Sequence, residues 1–275
     1  MTAETEGRPE PRRADPASLD TSVAHPARVY DYWLGGKDNF AADREAAETA
    51  IAHNPFIVPG VRTNREFLGR AVRYLAGEAG LRQFLDVGTG IPTADNTHEV
   101  AQAVAPEARI VYVDNDPIVL VHARELLSST AEGATDYIEA DVRDPSEVLR
   151  QATATLEFGQ PVALILLAIL QFIGDAEDPY ALVASLVDSV VPGSYLVISH
   201  PASDINARQA EAQRRYNERV STPQTLRTRD EVTRFFEGLD LVPPGVVYVH
   251  AWRPDPGDDP PEGGVSAYGG VARKS

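Results

Sequence analysis

The residues whose types and spacing could do chemistry are carboxylates beside glycines. Asp86 stands two residues before Gly88 in Phe84-Leu85-Asp86-Val87-Gly88-Thr89-Gly90-Ile91-Pro92. Asp114 closes the apolar run Arg109-Ile110-Val111-Tyr112-Val113, and Asp141 follows Asp136-Tyr137-Ile138-Glu139-Ala140. Gly88 and Gly90 lack Cβ atoms, so the chain can turn sharply there and a ligand can lie against it. A carboxylate offers two acceptor oxygens and a vicinal diol offers two donors, so Asp114 suits a ribose. Asn115 can cover an adenine face, and Asp141 can accept from an adenine amino group beside the Val142 amide. Each acid also has a plainer reading as a turn or cap residue. Their recurrence after successive strands favours a site.

The spacing D-x-G-x-G discriminates between cofactors. A dinucleotide brings a pyrophosphate to the helix N-terminus, where Asp86 would repel it. The run Gly88-Thr89-Gly90-Ile91-Pro92-Thr93 also lacks the third glycine of that fingerprint. S-adenosylmethionine carries an ammonium, a sulfonium and no phosphate, and fits the acids better than NAD. Its expected contacts are Asp86, Gly88, Thr89, Gly90, Asp114, Asn115, Asp141, Val142 and Ala168. Methyl transfer is an in-line displacement that needs alignment and, for some acceptors, a base. Candidates near strand ends are Gln171, His200 and Tyr216. The histidines show no metal-ligand spacing, and no metal is expected.

These residues need a scaffold of strands with ligands at their carboxyl ends. Strands are expected at Phe84–Val87, Arg109–Val113, Asp136–Ala140, Val162–Leu167 and Tyr195–Ser199. A sixth, Leu239–Val242 with Gly245–His250, is broken by Pro243-Pro244, and Ser266–Ala272 is the seventh. Three strands are followed by Asp-Pro (Asp116-Pro117, Asp144-Pro145, Asp178-Pro179), an N-cap with proline at the first helical position. Alternating β and α predicts a parallel sheet with right-handed crossovers, with the all-apolar fourth strand central. The final pair is close enough in sequence to be antiparallel. Asn96 and Glu99 resemble a capping pair, as do Thr228 and Glu231. Ser203–Val220 reads as a charged helix.

Ahead of the sheet, residues 25–80 read as helices: Ala27–Leu34 stopped by Gly35-Gly36, then Asp43–His53, then a long helix. Thr63 and Glu66 look like the long helix's capping box. Its apolar face is Phe67, Leu68, Ala71, Val72, Leu75, Ala76 and Ala79, with Arg65, Arg70 and Arg73 off that face. Residues 1–24 are polar and read as a disordered tail. The organisation expected is therefore tail 1–24, helical cap 25–80 and cofactor domain 81–275.

With 275 residues and 43% hydrophobic composition the chain can bury a large α/β core. The net charge of −16 repels nucleic acid and anionic lipid, so neither is expected as partner. Cysteine is absent, which removes disulfide and thiolate chemistry. The charged N-terminus lacks a signal-peptide core, and the longest apolar run, Val162–Leu170, is too short to span a bilayer. A cytoplasmic protein is expected.

Several stretches together resemble bacterial S-adenosylmethionine methyltransferase-like proteins, a family long carried as a domain of unknown function. They are the run from Ala27 through Tyr30-Asp31-Tyr32-Trp33-Leu34-Gly35-Gly36-Lys37-Asp38-Asn39-Phe40, the Asp86 loop through Thr93, Asn96–Gln102, Val111–Pro117, Pro192–Val197 and Gly269–Lys274. The resemblance implies a class I methyltransferase fold, with seven strands, an antiparallel last strand and added N-terminal helices. It implies S-adenosyl-L-methionine as cofactor and supplies no substrate. The family pattern carries His after strand four, where Gln171 stands here. That leaves another residue as base, or a chain that binds without catalysing. The Gly35-Gly36-Lys37-Asp38-Asn39 turn is expected as a lid, with Gly36 and Lys37 reaching the methionine end. The leading reading is a small-molecule methyltransferase. A non-catalytic S-adenosylmethionine-binding regulator and, less favoured, an NAD-dependent oxidoreductase are the alternatives.

Overall fold

The computed structural model describes residues 20–93, 95–119, 128–205, 217, 222–258 and 267–275. The expected tail up to residue 19, most of the Ser203–Val220 helix, and Tyr216 lie outside them.

The described residues open with three helices: α1 (Pro26–Leu34), α2 (Ala41–His53) and α3 (Ile57–Gly77). In α1 Pro26 takes the first position, and Gly35 stops the helix at φ +85°. The α/β part follows: β1 (Gln83–Val87), α4 (Thr97–Val104), β2 (Arg109–Asp114), β3 (Ala134–Glu139), α5 (Pro145–Ala152), β4 (Ala163–Leu167), α6 (Pro179–Asp188) and β5 (Tyr195–Pro201). Then come α7 (Arg229–Arg234), β6 (Asp240–Leu241), β7 (Val247–Tyr248) and β8 (Ala267–Arg273). Asp144 and Asp178 cap α5 and α6 by accepting from Glu147 and Ala181 N–H groups. Asp116 accepts likewise from Ile118, at 2.9 Å. Glu99 reaches back to Asn96, and Glu231 to Thr228.

The sheet runs β3-β2-β1-β4-β5-β8-β6, with β7 also paired to β8. The first five strands are mutually parallel, and β8 is antiparallel to β5, β6 and β7. The sheet has eight strands rather than seven because the expected sixth is realised as two short strands, one on each end of β8. β1 pairs with β2 on one side and β4 on the other, so the strand order reverses beside β1, where a crevice opens. Alternation along β1 sends Leu85 and Val87 to the layer of Val148, Leu182, Leu186 and Phe235. Phe84 goes to the opposite layer, with Phe67, Leu75, Ala101 and Trp252.

One expectation is corrected. α3 begins at Ile57, so Thr63 is one turn inside it, and its hydroxyl donates to Pro59 O at 3.0 Å instead of capping. Arg70, expected off the apolar face, is buried all the same. It is 5% exposed, and its Nε and Nη2 donate to the carbonyls of Trp252 and Val249 at 3.0 and 2.7 Å. Those two carbonyls lie where the chain leaves the sheet, and the guanidinium satisfies them.

Candidate functional site

A cleft of about 1180 Å³ opens at the carboxyl ends of β1, β2 and β4 and of the segment after β3. Asp86, Gly88, Thr89, Gly90, Asp114, Asn115, Asp141, Val142, Ala168, Gln171 and His200 all line it, as do residues of α1, α2 and α3. The topology thus gathers the rim acids that the sequence singled out.

The glycine turn is tight for a structural reason. Gly88 has φ +74°, and a Cβ there would lie 2.5 Å from Ile169 Cγ1. Gly90 has φ +69°, and a Cβ there would lie 4.0 Å from its nearest neighbour, Ala27 Cβ, so this side of the loop has room for a ligand. The Gly88 N–H donates to Val113 O at 2.8 Å, which ties the turn to β2. Asp114 then holds the turn from below. Its Oδ2 accepts from Gly90 N–H at 2.8 Å and its Oδ1 from Asp116 N–H at 3.0 Å. Each oxygen keeps a second lone pair for a hydroxyl. Burial pushes the Asp114 carboxyl up, against the lowering effect of those amides.

Asp86 is buried and accepts from Thr97 Oγ1 at 2.6 Å. Burial pushes its pKa up to about 6, opposed by the Thr97 hydrogen bond and the Arg65 charge and assisted by Asp114. Asp86 therefore sits beside the glycine turn as a poorly solvated anion at neutral pH, a feature typical of functional sites. At the end of the segment after β3, Asn115 Nδ2 donates to Asp141 Oδ2 at 3.1 Å, and the Arg143 N–H to Asp141 Oδ1 at 2.9 Å.

After β4 the chain turns on Ala168, a non-glycine at φ +50°, a conformation that side chains disfavour. Its N–H is held by Ser199, through both the carbonyl and Oγ at 3.1 Å. Its carbonyl accepts from Gln171 Nε2 at 2.7 Å. Gln171 is 5% exposed, and its Oε1 has no partner.

His200 is brought to the cleft wall but not into play as a base. It is 0% exposed. Its Nδ1 contacts Pro201 O at 2.8 Å, so that nitrogen donates, and Nε2 accepts from Arg227 Nη1 at 2.8 Å. Both nitrogens are spent. Burial, with the Arg227 charge assisting, drives its pKa down to about 3 against the pull of Pro201. Gly36 and Lys37 do not line the cleft either. A Cβ on Gly36 would lie 1.9 Å from Asp31 Oδ1, because that turn wraps the buried Asp31 carboxylate. Asp31 Oδ2 accepts from Asp38 N–H and Asn39 Nδ2 at 3.1 and 2.8 Å. Lys37 is exposed.

The N-terminal helical segment reaches the cleft through Arg65 and through three residues that sequence reasoning did not single out, His25, Tyr30 and Asn64. Asn64 is 8% exposed, and its Nδ2 donates to Tyr30 Oη at 3.1 Å. The available signal was a buried amide one turn before Phe67 and Leu68, a polar group continuing an apolar stripe. Arg28, Asp43 and Asp116 form a buried ionic cluster with half-buried His25. His25 Nδ1 is 3.0 Å from Asp116 Oδ2, and Arg28 Nε is 3.4 Å from Asp43 Oδ1 and 3.8 Å from Asp116 Oδ2. Burial raises the Asp116 carboxyl, but His25, the Ile118 amide and Arg28 together outweigh it and hold the group low. Among the described residues no cluster of His, Cys, Asp or Glu could hold a metal, and no helix is long and apolar enough to cross a membrane.

The residues present suit an adenosine-bearing cation. Asp114 keeps acceptor capacity that a diol could use, the Gly90 turn has room beside its backbone, and Asp86 supplies negative charge where a pyrophosphate would need positive charge.

Residues 12–275 match the family model described as S-adenosyl methyltransferase. A solved DUF574 family protein from Streptomyces avermitilis is 47% identical, covering 93% of this chain and 99% of its own, with a TM-score of 0.89. A solved putative methyltransferase from Thermobifida fusca is 42% identical, covering 94% and 98%, with a TM-score of 0.87. An O-methyltransferase family protein from Burkholderia thailandensis, at 12% identity over 89% and 64% of the two chains, shares the fold with a TM-score of 0.53. No curated protein matches this chain.

Proposed function

The chain belongs to the S-adenosyl methyltransferase family and is an S-adenosylmethionine-dependent methyltransferase, and from that premise we propose how its cleft divides the work and that its acceptor is a small molecule. Asp114 holds the ribose hydroxyls. Asn115, Asp141 and Val142 border the adenine, and the Gly88–Gly90 turn with Asp86 receives the methionine end. Residues 25–80 act as the cap over the acceptor. When bound, S-adenosylmethionine supplies a methyl group on a sulfonium, which an acceptor lone pair takes in line as sulfur keeps the pair from the broken bond. The chain's own part is alignment, exclusion of water and charge complementarity.

The observation that carries this reading is the Asp114 carboxylate at the end of β2, fixed by two backbone N–H groups and lining the cleft. A small acceptor is supported by the helices α1 and α2 that wall the cleft, and by the net charge of −16, which repels a polyanion. A cytoplasmic setting fits the same charge and the composition.

Titration calorimetry with S-adenosylhomocysteine tests the assignment. Asp114→Ala loses two charge-assisted acceptors, each worth at least about 1.5 kcal/mol, so affinity falls about 100-fold. Asp114→Asn keeps one acceptor and loses less. Unchanged affinity in Asp114→Ala removes Asp114 from the site.

A further inference from the structure

The methionine end of S-adenosylmethionine is a zwitterion, with its carboxylate and its ammonium on one carbon. Asp86 suits the ammonium and repels the carboxylate, so the same corner of the cleft needs a cation. The Gly35-Gly36-Lys37 turn does not supply it, since Lys37 is exposed and off the cleft wall. Among the described residues the cleft is lined by two arginines, Arg65 and Arg143, and by His25, His53 and His200.

Four of these are placed elsewhere. Arg143 is tied beside Asp141, where its Nε donates to Glu177 Oε1 at 2.6 Å and its Nη2 to Phe172 O at 2.8 Å. His25 lies against Asp116 after β2. His53 is exposed at the end of α2, and His200 is held between Pro201 and Arg227. Arg65 is the one of the five at the end of the glycine loop. It is half-buried on α3. Its Nη2 donates to Asp95 O at 3.2 Å and lies 3.5 Å from Asn96 Oδ1. The next residue, Thr97, donates to Asp86 Oδ2 at 2.6 Å. Opposite charges from α3 and β1 thus hold consecutive residues at the start of α4, and both line the cleft. Burial raises the Asp86 carboxyl, and the Thr97 bond and the Arg65 charge oppose it, so the two charges feel each other across this corner.

We infer that Arg65 binds the α-carboxylate of the cofactor's methionine end, opposite Asp86 on its ammonium, and makes the site selective for a donor that keeps that carboxylate. This rests on the methyltransferase reading above and names a specificity-determining residue for it. A guanidinium suits the task because its planar fork matches a carboxylate. The two halves of the clamp come from different parts of the chain, α3 of the N-terminal helices and β1 of the sheet. The zwitterion therefore bridges them. A decarboxylated donor keeps only the ammonium and forfeits one side of the bridge.

The test uses a matched pair of ligands, S-adenosylhomocysteine and S-adenosyl-3-thiopropylamine, which differ only by the α-carboxylate. Each is titrated calorimetrically into the full chain. Wild type is expected to bind S-adenosylhomocysteine at least about tenfold more tightly, the worth of a hydrogen bond between charged groups. Arg65→Gln removes the charge and keeps an NH₂ group for the Asp95 carbonyl, so a role confined to holding that loop survives in it. In Arg65→Gln the pair is expected to converge to within about twofold, through loss of S-adenosylhomocysteine affinity while that of the thiopropylamine changes little. A co-crystal of wild type with S-adenosylhomocysteine is expected to place the α-carboxylate within hydrogen-bond distance of the Arg65 guanidinium.

Equal binding of the pair by wild type, a preference that survives in Arg65→Gln, or an α-carboxylate seated away from Arg65 in the co-crystal overturns the proposal. Should Arg65→Gln fail to fold, the co-crystal and the wild-type pair decide. Binding of neither ligand overturns the cofactor reading as well, whereas equal binding of both leaves that reading standing and removes Arg65 alone.

Discussion

Replacing Asp86 with Asn separates the carboxylate's cost to the fold from its use in the site. Asp86 is buried, and its pKa is raised from 3.8 to about 6. A carboxyl that holds its proton more tightly when folded costs stability once it must ionise. The cost is absent below the unfolded value, grows between about 4 and 6, and is complete above 6. The shift spans about two pH units at 1.36 kcal/mol each, so the penalty at neutral pH is about 3 kcal/mol. Asn keeps an oxygen for Thr97 Oγ1 and carries no charge to desolvate. Urea unfolding of both proteins, without cofactor, at pH 4, 5, 6 and 7.5 gives the difference free of the effects that other groups share. Asp86→Asn is expected to gain stability relative to wild type as pH rises, levelling above 6 at about 1–3 kcal/mol. Its affinity for S-adenosylmethionine should fall, since the ammonium loses its counter-charge. In wild type, cofactor binding should tighten from pH 5 to 7, and in Asp86→Asn it should not. A variant less stable than wild type at pH 7.5, or a stability difference flat across this range, would refute the reasoning.

His200, with its pKa down at about 3, stays neutral from pH 5 to 9, so its ring signals in NMR should not titrate there and methyl transfer should show no step from it. A histidine with a depressed folded pKa contributes stability above its unfolded value of about 6.5 that is lost as pH falls below it, and His200→Gln should lessen that loss. A ring titrating near 6 would reopen the base assignment. Gly36→Ala drives a methyl group into the Asp31 carboxylate and breaks its bonds from Asp38 and Asn39. The expected loss is about 1–3 kcal/mol, read by faster amide exchange in α1 and residues 36–40, with S-adenosylhomocysteine affinity little changed because Gly36 is off the cleft wall. Unaltered exchange there would show that the turn is not built around Asp31.

The acidic rim of the cleft was legible in the sequence because local rules dictate it. Asp86 and Asp114 stand at the ends of apolar strands and Asp141 just beyond one, and the Asp-Pro caps signal where the next helix begins. The split of the sixth strand was visible at Pro243-Pro244, although both halves pairing with β8 was not. What could not be read lay in contacts distant in sequence. Arg70 could be read only as an arginine off the apolar face, because the carbonyls it serves are those of Val249 and Trp252, about 180 residues away. His200 looked like a base because the expected strand ended at Ser199 and left it at the strand's mouth, whereas it is still in β5 and its partner Arg227 arrives from a later segment. The Gly35-Gly36-Lys37 turn suggested ligand binding by composition. Its glycine is explained instead by an aspartate five residues earlier in the same helix-turn unit.

The acids on the rim also explain why the cap sits where it does. Asp114 and Asp116 are both buried at the end of β2, and only Asp114 has its second lone pairs open to the cleft. Asp116 spends one oxygen capping the helix that follows and turns the other to His25 and Arg28 at the start of α1. Arg28 in turn reaches Asp43 of α2. An uncompensated buried carboxylate would cost several kcal/mol, so the cationic first turn of α1 and the acidic loop after β2 stabilise one another. The N-terminal helices and that loop are thereby one electrostatic unit. A mutation that loosens either, such as Arg28→Met, should be felt in both α1 order and cofactor affinity, even though Arg28 itself does not line the cleft.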